Sequence, residues 1–233
     1  MQSDRAVDAP DDLPAFLGRL RDQYRAAHTG TTLTLVALTS AVFLLQLVGT
    51  ALTGADSVRQ LTAYLFLEGG DAVYLLSLFL HRGPLHFLSN VLVLLVLAPQ
   101  ERHFSPGGYW TFVATAAVAS LATGYAVLLA YSPQPNVAFY GISGLGYALA
   151  GFALARGVRF RDGLSELDLV AAAVGVTSTV AVAANLLVSL PDAPVAVNGG
   201  HLAGVVVGLA TGAVWRRRSG VDAAAESSAD DAQ

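Results

Sequence analysis

Residues 140–151 read Tyr140-Gly141-Ile142-Ser143-Gly144-Leu145-Gly146-Tyr147-Ala148-Leu149-Ala150-Gly151. A loop bearing Pro133, Pro135 and Asn136 gives way here to an apolar run long enough to enter a bilayer, and a serine stands between glycines at the junction. A hydroxyl in the first turn of a helix commonly does no more than cap it. Ser143 differs in having a candidate base. His201 lies in a second glycine-lined apolar segment and is the one histidine in the C-terminal half of the chain. The stretch therefore predicts an all-α membrane bundle in which two helices bring a hydroxyl and an imidazole together.

The surrounding composition supports that class. Of 233 residues, 54% are hydrophobic and 13% charged, about half the charge of a typical soluble domain. The net charge of -4 comes mostly from loops and tails. There are no cysteines, which excludes a thiol nucleophile, a disulfide framework and Cys-based zinc sites. The first apolar run begins only near Thr32, so the polar N-terminal segment does not read as a cleavable leader. Within it, Leu13 to Ala27 has the pattern of a short amphipathic helix on a membrane surface. Residues 1–30 read as a polar tail, 31–216 as the membrane domain, and 217–233 as a disordered acidic tail.

A bilayer core asks for roughly 20 apolar residues per helix. Six segments answer: Thr32 to Leu52, Leu85 to Leu97, Tyr109 to Tyr131, Ser143 to Arg156, Leu167 to Leu190 and Gly199 to Trp215. A further apolar region, Leu61 to Leu80, is interrupted by Glu68-Gly69-Gly70-Asp71; two carboxylates at mid-bilayer depth are expensive, so it reads as a partly embedded loop. With six spans, Arg102, the group Arg156, Arg159 and Arg161, and the run Arg216 to Arg218 share one side with the N-terminus, against Arg59 and Arg82 on the other. The positive-inside rule then puts both termini in the cytoplasm of a multi-pass plasma-membrane protein. Ser143, His201 and His86 fall at the non-cytoplasmic ends of their helices.

Three clusters could carry chemistry. In the last span Gly200, Gly204, Gly208 and Gly212 recur every four residues, a small-residue stripe that lets a neighbouring backbone come close, and His201 falls within its arc. An imidazole inside a span is a functional candidate by default. In the fourth span Ser143 and Tyr147 share a face four residues apart, with Gly144 and Ala148 as a small pair beside them; packing on the sixth helix would bring Ser143 to His201 and the Tyr147 ring to the imidazole. The bland readings are a helix cap and an interfacial aromatic. The third cluster, His81-Arg82-Gly83-Pro84-Leu85-His86-Phe87-Leu88-Ser89-Asn90, puts His86 and Asn90 on one helix face. Such donors suit the negative charge that develops in acyl transfer. A metal site is the weaker alternative, because no His-Glu-x-x-His motif occurs.

Taken together, His86-x-x-x-Asn90, Gly141-Ile142-Ser143-Gly144 and Gly200-His201-x-x-Gly204-x-x-x-Gly208 resemble the rhomboid family of intramembrane serine proteases. The likeness covers about Leu80 to Gly212 in spacing, helix assignment and order. It implies a six-helix bundle around a water-filled cavity and cleavage of transmembrane segments of single-span or polytopic membrane proteins in the lipid bilayer. Ser143 would be the nucleophile and His201 its general base. His86, Asn90 and the Ser143 backbone N–H would form the oxyanion hole, with Tyr147, Gly141, Gly144, Gly200 and Gly204 in support. Glu101 with Arg102 resembles a structural polar pair of the family. No cofactor, metal, nucleic acid or obligatory oligomer is implied. The chain departs from the family pattern at Ala72-Val73-Tyr74, where many relatives carry Trp-Arg, and at Pro106-Gly107-Gly108. A pseudoprotease that binds transmembrane clients without cutting them is the alternative within the family; it is marked by loss of the Ser or the His, and both are present. A small transporter would want internal repeats and a charged path across the bilayer.

Overall fold

A computed structural model describes residues 13–55, 57, 58, 60–62, 65, 76–131, 141–157, 165–189 and 194–230. They form helices and no strand: α1 (Leu13–Ala26), α2 (Gly30–Thr53), α3 (Pro84–Leu97), α4 (Pro106–Tyr131), α5 (Ser143–Gly157), α6 (Glu166–Ser189) and α7 (Pro194–Asp230). A 3₁₀ turn over Ala98–His103 prolongs α3. Pro84, Pro106 and Pro194 open their helices, where a missing N–H leaves no bond unmade. Gly54 closes α2 with φ at 67°, the left-handed conformation that ends a helix without a Cβ clash. The interrupted region around Glu68 to Asp71, the Ala72-Val73-Tyr74 stretch, Tyr140, Arg159 and Arg161 lie outside the described residues.

Among the described residues five segments are long and apolar enough to cross a membrane: Gly30–Thr53, Pro84–His103, Pro106–Ala130, Glu166–Asn185 and Val197–Trp215. The chain is a multi-pass membrane protein. The expected fourth span, α5, has 15 residues, short of the roughly 17–25 that a lone spanning helix needs. Its position explains the difference. Leu145, Ala148, Leu149, Ala150, Phe152 and Ala153 are all buried, so α5 is the axis of the bundle and its neighbours stand where lipid would otherwise be. The outer helices instead expose Leu44, Leu45, Leu52, Leu85, Val118 and Val180, a surface suited to an apolar solvent. At the C-terminus the helix runs on to Asp230 where the sequence reading ends the span at Trp215 and leaves a disordered tail. No proline follows Pro194, and the segment after Asp222 is rich in alanine, the best helix former.

The core joins Leu94 and Leu97 of α3, Tyr109, Phe112 and Ala116 of α4, most of α5, and Ala171 of α6. The tightest seam is α5 against α7. A Cβ at Gly204 would strike the Gly144 carbonyl oxygen, and one at Gly208 the carbonyl of Ala148. In the other direction a Cβ at Gly151 would strike the Val205 carbonyl. Here the two main chains touch without side chains between them. Gly175 brings α6 onto α5 in the same way, against the Ala150 carbonyl.

Charges gather at the end of the bundle away from Ser143. Glu101 accepts hydrogen bonds from the backbone N–H groups of Thr31 (2.9 Å) and Thr32 (2.8 Å) and from the Thr32 hydroxyl (2.9 Å), so a carboxylate caps the positive end of α2. Arg102 turns away from it, donating to Asp168 Oδ1 at 2.9 Å; the two residues do not pair with each other. Arg156 donates to the same oxygen at 3.1 Å and lies over the Trp215 ring, 4.7 Å from its centroid. Ser165 donates to Asp168 Oδ2 at 2.8 Å, and His103 completes the group 3.7 Å from Oδ1. Outside this cluster, α1 straps two helices: Tyr24 donates to the Leu95 carbonyl of α3 at 3.0 Å, while Arg19 pairs with Glu166 at 2.6 Å and Gln23 accepts from the Leu167 N–H at 3.2 Å on α6.

Candidate active site

The Tyr140–Gly151 stretch places its serine by backbone geometry. Gly141 has φ at 114°, a region open to glycine alone among common residues, and its N–H donates to the Ser77 carbonyl at 2.8 Å. A Cβ there would sit 3.0 Å from the His86 ring and 3.4 Å from Asn90 Nδ2. The glycine thus lets the main chain turn into α5 while passing close to α3. Ser143 follows as the first residue of α5, where the N–H groups of a helix have no intrahelical acceptor.

Across the glycine seam stands His201 of α7. Its Nε2 is 2.8 Å from Ser143 Oγ, at hydrogen-bond distance. The Tyr147 ring, one turn along α5, stacks on the imidazole with centroids 4.2 Å apart and planes 30° from parallel. Gly204, one turn beyond His201 on α7, packs on Gly144, and Gly200 is buried beside the histidine. Ser143, His201, Tyr147, Gly141, Gly144 and Gly204 are thus in one place.

Asn90 and His86 arrive from α3. Asn90 is buried, and its Nδ2 lies 3.1 Å from His81 Nε2 and 3.3 Å from His86 Nε2. His81, in the connection before α3, explains how the amide is held. Its Nδ1 donates to the Phe79 carbonyl at 3.0 Å, so Nε2 carries the lone pair that accepts from Asn90. Burial, and after it the neighbouring His86, push the His81 pKa down to about 4, so the ring stays neutral. Gln46 of α2 fixes the His81 backbone from both sides, accepting from its N–H at 3.0 Å and donating to its carbonyl at 3.1 Å, and also donates to Thr62 at 2.7 Å. The anchoring roles of His81 and Gln46 escape the sequence reading. A lone glutamine in an apolar span was the available signal.

A cavity of about 140 Å³ adjoins the pair, lined by Ser89, Asn90 and Val93 of α3, Ser143, Gly146 and Tyr147 of α5, and Ser178 of α6. It holds a hydroxyl with an imidazole partner, an amide donor and room for a small group, set inside an apolar bundle. Among the described residues no three His, Asp or Glu side chains lie close enough together to hold a metal ion.

The Rhomboid domain family model matches residues 71–218. No curated protein and no solved structure matches the chain. The family match covers well over half of the sequence and encloses α3 to α7 up to Arg218, with Asn90, Ser143 and His201 inside it. The chain belongs to the rhomboid family.

Proposed function

We propose that this protein is an intramembrane serine endopeptidase that cuts transmembrane segments with Ser143 as nucleophile and His201 as general base. One observation carries the reading: the 2.8 Å contact between Ser143 Oγ and His201 Nε2, inside a membrane bundle and beside a cavity. Counting α5 as a span gives six. The arginine distribution then supports cytoplasmic termini in the plasma membrane, with the pair near the opposite face.

The chemistry follows from the atoms at hand. His201 Nε2 takes the Ser143 proton as Oγ attacks the scissile carbonyl carbon, and the imidazolium then protonates the leaving amine as the C–N bond breaks. Water, activated by the same imidazole, releases the acyl group from Oγ. Tyr147 holds the ring in plane, the work that a third acid does in soluble triads. The oxyanion falls to Asn90 and the Ser143 backbone N–H. His86 Nδ1 faces the Arg82 N–H at 3.4 Å, which leaves the proton on Nε2. Asn90 Nδ2 stands 3.3 Å from His86 Nε2, so the two side chains border the same site. His201 acts as a base only when neutral, so turnover falls as the imidazole becomes protonated.

The test is cleavage, in liposomes, of a tagged single-span protein by wild type, Ser143→Ala and His201→Ala. Cutting near the end of the substrate helix that leaves the membrane on the non-cytoplasmic side, lost in both variants, is the expected result. Wild-type protein that neither cuts nor reacts with a fluorophosphonate at Ser143 would mark a client-binding pseudoprotease instead.

A further inference from the structure

The cavity beside Ser143 has three walls, and α6 supplies its wall with a single residue, Ser178. Hydroxyls on the membrane helices of this protein are generally turned back on their own backbone. Both neighbours of Ser178 are: Thr177 donates to the Ala173 carbonyl at 2.9 Å and Thr179 to the Gly175 carbonyl at 2.8 Å. So do Ser40 on α2 and Thr211 on α7. Ser178 makes no such bond among the described residues. Ser178 itself lines the cavity, on the wall that α6 adds to those of Asn90 and Ser143.

Both α3 and α6 close on α5 beside this cavity. Val93 of α3 closes on α5 so far that a Cβ on Gly146 would be 3.2 Å from its Cγ1, and α6 is seated on α5 at Gly175, one turn before Ser178. A peptide bound at Ser143 in this cavity has Ser178 beside it. To be cut it must also unwind, and its freed N–H and C=O groups have no water in the hydrocarbon to satisfy them; each unmet buried group costs a few kcal/mol. A serine hydroxyl accepts as well as donates, and at the bound register it takes the hydrogen bond of one freed N–H.

We infer that Ser178 is a substrate-binding residue whose hydroxyl hydrogen-bonds the unwound main chain of the transmembrane substrate. The inference deepens the protease reading and rests on it for the identity of the ligand. Its test does not need turnover. In a Ser143→Ala background, a fluorescent single-span peptide with a central Gly-Pro break is titrated in nanodiscs, with and without Ser178→Ala. The expected result is a threefold to tenfold weaker Kd on losing the hydroxyl, the range of one neutral hydrogen bond. Val180→Ala, whose side chain is exposed on the outer face, leaves the Kd unchanged. A series of peptides with single backbone amides replaced by esters should include one position at which Ser178→Ala has no further effect. Equal affinity with and without Ser178, or a loss of the same size at every ester position, overturns the assignment. Failure of the protease reading is registered separately, by wild-type cleavage and fluorophosphonate labelling.

Discussion

The two ends of this bundle are held together by opposite chemistry. Around Ser143 the partners are neutral: hydroxyl to imidazole, amide to imidazole, glutamine to backbone. At the far end they are charged, with Asp168 between Arg102 and Arg156, and Glu101 at the head of α2. Both ends are substantially buried, so the contrast is not one of exposure. A base must be able to lose its proton and an oxyanion donor must be able to change partners, and neither works when clamped by a permanent ion pair. The far end has only to stay assembled. Ion pairs fit that need once every member is paired, and lose it when one is removed.

If the ends divide labour in this way, substitutions separate activity from stability. The largest effect belongs to Ser143→Ala and His201→Ala: each removes nearly all cleavage, together they remove no more than either alone, and the melting temperature in detergent stays close to wild type. A double variant markedly worse than the singles would show that the residues do not act as a unit. Next comes Asn90→Ala, expected to slow turnover by about 10²–10³ with the substrate KM little changed; a wild-type rate would take Asn90 out of the oxyanion hole.

The third substitution crosses to the other end. Asp168→Ala strands Arg102 and Arg156 and should cost about 3 kcal/mol of stability, while protein that remains folded at low temperature cleaves at the wild-type rate. A lowered rate at unchanged stability would mean that the far end reaches the site. Smallest of all is Asp22→Ala, which breaks the exposed Arg21–Asp22 pair; chemical denaturation should move by less than about 0.5 kcal/mol.

The same contrast governs what the sequence discloses. The neutral end was legible because its signals are local and unusual: Ser143 between glycines, His201 in a four-residue glycine stripe, His86 and Asn90 one turn apart. At the charged end Glu101 and Arg102 read as a structural polar pair, but the partners they meet did not show. Asp168 meets Arg102 across 66 positions, and each of its members alone looks like the ordinary charge that ends a span. Arg102 and Arg156, read as markers of topology, are also partners in a cluster. The span count was blurred at α5 because hydropathy measures fitness for lipid, and the 15 residues of α5 lie largely against protein. Ser178 gave no sign at all, since a hydroxyl in a membrane helix is common and only its direction is informative.

The seam of α5 and α7 has a consequence for how such a protein varies. At Gly204 and Gly208 one main chain rests on the carbonyl oxygens of another, so the spacing between serine and histidine is gauged by peptide groups that every sequence shares. Lipid-facing positions such as Leu44 and Val118 can change without detuning that gauge. What the seam fixes is a distance, set by main chain alone.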